Sequence, residues 1–231
     1  MRGLIRATPI LRSPALDRLA GRELLLKAEN LQATGAFKVR GALAAVTARA
    51  PRDRRRLVTA SAGNFGQGVA VAAAHHVLEA LVLVPEGTPR LKVDRIRRFG
   101  GDVRIAGRNF DECDALARAL ATEQGDDFLP PFDHPRVIEG QGTVALEILG
   151  QAPGLDALIV PCGGGGLLAG VATVLAARRP DVRLIAAEPC ALPSLDRALL
   201  HGAPVELPNA STVADGVAVR RLGTLPFDLV R

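Results

Sequence analysis

The sequence predicts an α/β fold in which parallel strands carry helices on both faces, and three observations lead there. From Leu57 onward, short apolar runs alternate with stretches long enough for helices, the pattern of strands buried on both sides by crossover helices. Glycine-rich segments stand where such a run gives way to a helical stretch, around Gly63 and again around Gly164. The 231 residues are 48% hydrophobic, enough to bury one large core or two smaller ones.

Thr8, Pro9, Ile10 and Pro14 open the chain as an extended segment, because proline blocks helix and biases its predecessor toward extended backbone. Residues 24–27 read as a strand, and 37–49 as a helix with Val39, Leu43, Ala44 and Val46 on one face, ended by Pro51. Strands over 57–60, 80–84 and 102–105 then alternate with helices over 64–75, 89–99 and 110–123. A proline-rich loop at 130–133 precedes a helix over 137–149. Next come a strand over 157–161, a glycine run, a helix over 167–178, a strand over 182–188 and a helix ending at Leu200. Residues 212–231 show no clear periodicity, and no repeat of solenoid length occurs. The arginine-rich stretch 49–56 and the break at 151–154 mark boundaries between a discontinuous large domain, 1–48 with 150–231, and a smaller inserted domain, 49–149.

Composition narrows the function classes. The net charge is +5, but the arginines are scattered or set beside acids, as on a solvated surface. Trp and Tyr are absent and Phe numbers seven, which leaves little material for stacking on bases, so no nucleic-acid partner is expected. Cys113, Cys162 and Cys190 are odd in number, far apart and without CxxC spacing, which fits free thiols in a reducing compartment. The first residues lack the apolar core of a secretory signal, and no stretch reaches the ~20 apolar residues of a membrane span. A cytoplasmic protein without a membrane partner is the expectation.

The chain is organised around KAENLQATGAFKVRGA, residues 27–42. Of its 29 Lys+Arg residues only Lys27, Lys38 and Lys92 are lysine, so Lys38 stands where a guanidinium would not serve. A desolvated lysine amine can lose its proton and attack a carbonyl, whereas arginine stays charged. On this stretch alone, a solvated lysine at a helix start reads equally well. Gly163, Gly164, Gly165 and Gly166, followed by Leu167, lie between a strand and a helix. Each glycine in regular structure costs roughly 1 kcal/mol relative to alanine; the reason for four is the approach of a phosphate to free N–H groups at the positive helix end. Gly164, Gly166 and Gly170 with Glu188 also make a relaxed dinucleotide fingerprint, although the spacing is G-x-G-x-x-x-G and the unit lies late in the chain. Ser61, Ala62, Gly63 and Asn64 form a second strand-to-helix loop, locally readable as an N-cap with Ser or Asn accepting an N–H bond.

The run TGAFKVRGA resembles the cofactor-lysine motif of the fold-type II pyridoxal-phosphate enzymes, in the branch of serine/threonine dehydratases (threonine ammonia-lyases) and serine racemases. ASAGNFGQG (60–68), GQGT (140–143) and GGGGL (163–167) match the same family in the same order, and the resemblance runs from Thr8 to Gly216. It implies a two-domain, tryptophan synthase β-like fold with pyridoxal 5'-phosphate between the domains. Lys38 would hold the cofactor and act as catalytic base, with Phe37 beside it; Asn64 would bond the phenolic oxygen; Gly163, Gly164, Gly165, Gly166 and Leu167 would cradle the phosphate. Ser61, Ala62, Gly63 and Asn64 would hold the carboxylate of a small amino-acid substrate. Phe65 departs from the histidine common at its position.

Ala62 stands where racemases of this branch carry a serine that acts as second base, so the implied reaction is β-elimination of serine or threonine to a 2-oxo acid and ammonia. Glu188 resembles the first ligand of a divalent-cation site in some members, but the acid expected six residues on is Ser194; Glu188 therefore reads as structural and no metal is expected. His75, His76, His134 and His201 have no partner at ligand spacing. The family's serine or cysteine facing the pyridine nitrogen has no match after Gly216. The chain is accordingly expected to lack a C-terminal segment together with part of the large domain and of a homodimer surface. An inactive relative that only binds the cofactor is the alternative to the dehydratase, with a nicotinamide-dinucleotide protein behind it.

Overall fold

Proline and glycine set the first elements of the computed structural model, which describes residues 3–49 and 53–231. Pro51 and Arg52, expected to end the second helix and to open the arginine run, lie outside the described residues, as do Met1, Arg2 and Ala50. Strand β1 (Ile10–Arg12) pairs antiparallel with β2 (Leu25–Lys27), Ile10 opposite Lys27. The extended backbone expected at Pro14 is instead helix α1 (Pro14–Ala20). Pro14 sits at the helix start, where a missing N–H costs nothing, and Gly21 closes the helix in the left-handed region. One 3-10 turn, Glu29–Leu31, leads toward α2 (Lys38–Thr47), which presents Val39, Leu43 and Val46 to the core.

The alternation then runs as the apolar pattern predicts: β3 (Leu57–Ala60), α3 (Asn64–His75), β4 (Ala80–Val84), α4 (Arg90–Arg98), β5 (Asp102–Ile105) and α5 (Phe110–Gln124). A two-residue strand, β6 (Asp127–Phe128), adds to the edge, giving a wholly parallel sheet in the order β5-β4-β3-β6. Val82 and Val84 pack against α3 and α4 through Ala70, Val93 and Ile96. Leu81 and Leu83 pack against α5 through Cys113, Ala117 and Ala121. Alternate residues of one strand thus feed opposite faces, and each fully buried Val or Leu contributes about 1.5–3 kcal/mol.

Helix α6 (Pro135–Gln151) is longer than expected at both ends and leads to β7 (Ala157–Pro161), α7 (Gly166–Arg178), β8 (Arg183–Ala187), α8 (Ser194–His201) and α9 (Thr224–Val230). Strands β7 and β8 pair in parallel, and a core around Val160, Leu168, Val171 and Phe227 joins them to α7 and α9. The GQGT run has a packing role. A Cβ on Gly140 would lie 2.6 Å from the Gly41 Cα of α2, and one on Gly142 would lie 2.9 Å from the Gly170 carbonyl oxygen of α7. Helix α6 therefore meets a neighbour on each side at backbone distance. No described helix is long and apolar enough to cross a membrane.

Candidate active site

Lys38 begins α2, and its Nζ donates to the Pro131 carbonyl at 3.1 Å. The ring centroids of Phe37 and Phe65 lie 5.3 and 6.0 Å from the same nitrogen. Part of the Lys38 surface remains accessible, but the atoms packed around its amine desolvate it, and this lowers its pKa to about 8.

Phe65 and the Pro131 loop adjoin that amine, and the same loop reaches the glycine run through Phe132. Phe65, buried in α3, follows the β3–α3 loop. There the Ser61 Oγ accepts the Gly63 N–H at 3.2 Å, while Gly63 occupies the N-cap of α3 without any side-chain cap. Ser61 thus accepts an N–H bond, as the residues alone suggest, but the bond closes the loop and does not cap α3, and Asn64 is exposed at the start of the helix. Phe132, next to Pro131, lies against the glycine run: a Cβ on Gly164 would come within 2.3 Å of its ring, and one on Gly166 within 3.0 Å of its Cβ. Gly165 has φ +88°, in the region that side chains disfavour, with Leu222 and Pro226 over it. Both loops follow the carboxyl ends of parallel strands, β3 and β7, where open α/β sheets bind ligands.

The N–H groups of residues 163–168 have no backbone acceptor among the described residues. They point out of a helix start that carries no side-chain cap, an arrangement suited to an anion. Two cavities, of about 220 and 540 Å³, lie beside Arg49 and beside Cys190, and neither is lined by Lys38 or the glycine run.

Glu188 has a different occupation from the ribose or metal roles weighed for it. Its carboxylate accepts the N–H of Leu195 at 2.7 Å, the N–H of Asp196 at 3.1 Å and the Ser194 hydroxyl at 3.2 Å. It caps α8, whose own N-cap is Pro193, and the dinucleotide reading loses its acid. Sequence reasoning missed Pro131 and Phe132, which link Lys38 to the glycine run, although the Pro130-Pro131-Phe132 loop was visible. It also missed the segment around Leu222 and Pro226, for which the sequence carries no local signal.

The whole chain, residues 1–231, matches the family described as Pyridoxal-phosphate dependent enzyme. The chain belongs to that family. It is 43% identical over 225 residues to a biosynthetic L-threonine dehydratase of Escherichia coli, covering 97% of this chain and 44% of the relative. With an L-threonine ammonia-lyase of Geobacter sulfurreducens it shares 42% identity over 233 residues, 100% of this chain and 58% of the relative. The solved structure of the processed form of threonine deaminase isoform 2 from Solanum lycopersicum superposes with a TM-score of 0.92 at 38% identity, covering 97% of this chain and 66% of that one. Maize serine racemase gives a TM-score of 0.92 at 32% identity, with 100% and 71% covered. The chain thus has the fold-type II architecture that its motifs imply, and it spans about half the length of the dehydratase and ammonia-lyase relatives it matches. The residues at the site fit the family's cofactor: a desolvated amine stands at one end of the arrangement and an unpaired row of N–H donors at the other.

Proposed function

We propose that this chain, with pyridoxal 5'-phosphate bound, carries out the β-elimination of serine or threonine, yielding a 2-oxo acid and ammonia. The observation that carries this reading is the desolvated Lys38 amine, linked through Pro131 and Phe132 to the glycine run. The names of the dehydratase and ammonia-lyase relatives support it. When bound, the cofactor supplies an electron sink for negative charge at the substrate Cα.

In this reading the N–H groups of Gly163, Gly164, Gly165, Gly166 and Leu167 hold the phosphate, Phe37 flanks the lysine, and Asn64 bonds the phenolic oxygen. Lys38 would anchor the cofactor and take the α-proton of the substrate, and a pKa lowered to about 8 would leave a useful fraction of its amine neutral at physiological pH. The loop of Ser61, Ala62, Gly63 and Asn64 binds the substrate carboxylate. The methyl group of Ala62 can neither give nor take a proton, so the reading favours elimination over racemisation. The four-stranded sheet falls within 49–149 and the β7–β8 pair within 150–231, which supports the small inserted domain and the discontinuous large one. We read the protein as cytoplasmic, consistent with three free cysteines, and, with its full-length C-terminal portion present, as a homodimer, to be checked by light scattering.

The test is the visible absorption of purified protein with added pyridoxal phosphate, run beside Lys38→Ala, followed by serine or threonine and detection of 2-oxo acid. A Lys38-dependent band together with product is the expected result. A band without product would mean a binding-only relative, and a band that survives Lys38→Ala would remove Lys38 from its role.

A further inference from the structure

The opening segment, α2 and α6 together contribute a group of charges that the proposed reaction does not use. Arg40 is only 1% exposed, yet its guanidinium is fully engaged. Nε and Nη2 donate to the two Glu29 oxygens at 2.8 Å each; Nη1 and Nη2 donate to the two Glu147 oxygens at 2.7 and 2.9 Å. Nη1 also reaches the Thr143 hydroxyl at 3.1 Å. Glu147 in turn accepts from Lys27 Nζ at 2.6 Å, and Lys27 also donates to the Thr8 carbonyl at 2.7 Å and to Gln151 at 3.0 Å. The Thr8 hydroxyl donates to Glu29 at 2.6 Å. Two cations and two carboxylates cancel, so the buried cluster carries no net charge, and its groups are hydrogen-bonded, the condition under which buried ions are tolerated.

The cluster is placed to control Lys38. Successive helix residues turn by about 100°, so Lys38 and Arg40 leave α2 on nearly opposite sides. A fork that grips Glu29 on one segment and Glu147 on α6 leaves α2 no freedom to rotate or slide. The Glu29–Arg40 pair also closes the loop between them, and Lys38 lies inside that closed stretch. A rotation of α2 would withdraw the Lys38 amine from the Pro131 carbonyl and from the ring of Phe65. We propose that Arg40, clamped between Glu29 and Glu147, is a positioning residue that aims Lys38 into the site from the opposite side of α2. This rests on the role proposed for Lys38 and extends it to a residue that touches neither cofactor nor substrate. Only arginine meets two carboxylates bidentately at once; a lysine at position 40 keeps the charge but grips at a single point.

The test uses the full chain carrying 13C-labelled lysine, in which Lys27, Lys38 and Lys92 give three ε-methylene signals and Lys38 is assigned by its loss in Lys38→Arg. In the parent, the Lys38 signal is expected to show a midpoint near 8. Arg40→Lys adds a fourth signal, which the double variant Lys38→Arg/Arg40→Lys tells apart from that of Lys38; the Lys38 midpoint should rise by about one pH unit or more as the amine turns toward solvent. The cofactor band, read separately, should form more slowly. A folded Arg40→Lys with the parental Lys38 midpoint would overturn the proposal, because a merely stabilising cluster lowers the melting temperature without moving that titration. If Arg40→Lys does not fold, Glu147→Gln is read in the same way and decides on the same criterion. The titration needs no cofactor, so a failure of the dehydratase reading, seen in absorption and product, is distinguishable from a failure of this one.

Discussion

At the scale of single residues, the proposed chemistry depends on one desolvated amine. Phe37, Phe65 and the loop at Pro131 surround Lys38 closely enough that its pKa falls to about 8. Its unfolded value is about 10.4, so the native state releases this proton first and stability rises with pH between those values. We therefore expect a small aldehyde probe, trapped by borohydride and located by mass spectrometry, to label Lys38 with a midpoint near 8. Lys27, whose amine donates to Glu147, Thr8 and Gln151, should label far more slowly. A Lys38 midpoint near that of free lysine would show that the amine is solvated. The scarcity of lysine made Lys38 conspicuous in the sequence; its desolvation was not legible, because Pro131 lies 93 residues away.

At the scale of elements, two late helices borrow their caps. Glu188 serves α8, and Asp133 accepts the N–H groups of Thr224 at 3.0 Å and Leu225 at 2.9 Å at the start of α9. Losing such a cap costs about 1–2 kcal/mol, so Glu188→Ala should lower the free energy of urea unfolding by about that amount. An unchanged midpoint would remove the capping role. Helix α9 escaped the sequence reading for this reason: its N-terminal signal is an aspartate 91 residues earlier. The glycines at the helix crossings make a second prediction. A methyl group on Gly170 would lie 2.5 Å from the Ile138 carbonyl oxygen and 2.6 Å from the Gly142 nitrogen. Gly170→Ala should push α7 from α6 and destabilise the chain by roughly 1–3 kcal/mol, measured in the same titration. A variant as stable as the parent would mean that the two helices are not in contact at that point.

At the scale of the whole molecule, a neutral knot of buried charge joins the opening segment, α2 and α6, and it makes the fold sensitive to acid. Burial alone would raise the Glu147 pKa, but its bonds to Arg40 and Lys27 outweigh that and hold it below the ordinary value. A carboxyl depressed in the native state contributes stability that is present above its unfolded pKa, about 4.3, and is lost as pH falls through the folded value. Unfolding free energy should therefore decline as the pH is taken below about 4, and the decline should be shallower in Glu147→Gln; identical slopes would exclude Glu147 as a contributor. By itself the sequence determined the alternation of strands and helices from Leu57 to Arg178, the glycine run after β7 and the family to which the chain belongs, because periodicity and contiguous motifs are local properties. Only the tertiary structure decided that Arg40 is buried between two acids, that Glu188 and Asp133 cap distant helices, and that the glycines of GQGT are crossing points. Each of these depends on partners far apart in the chain, and the spacing of residues along a sequence carries no record of which distant groups will face one another.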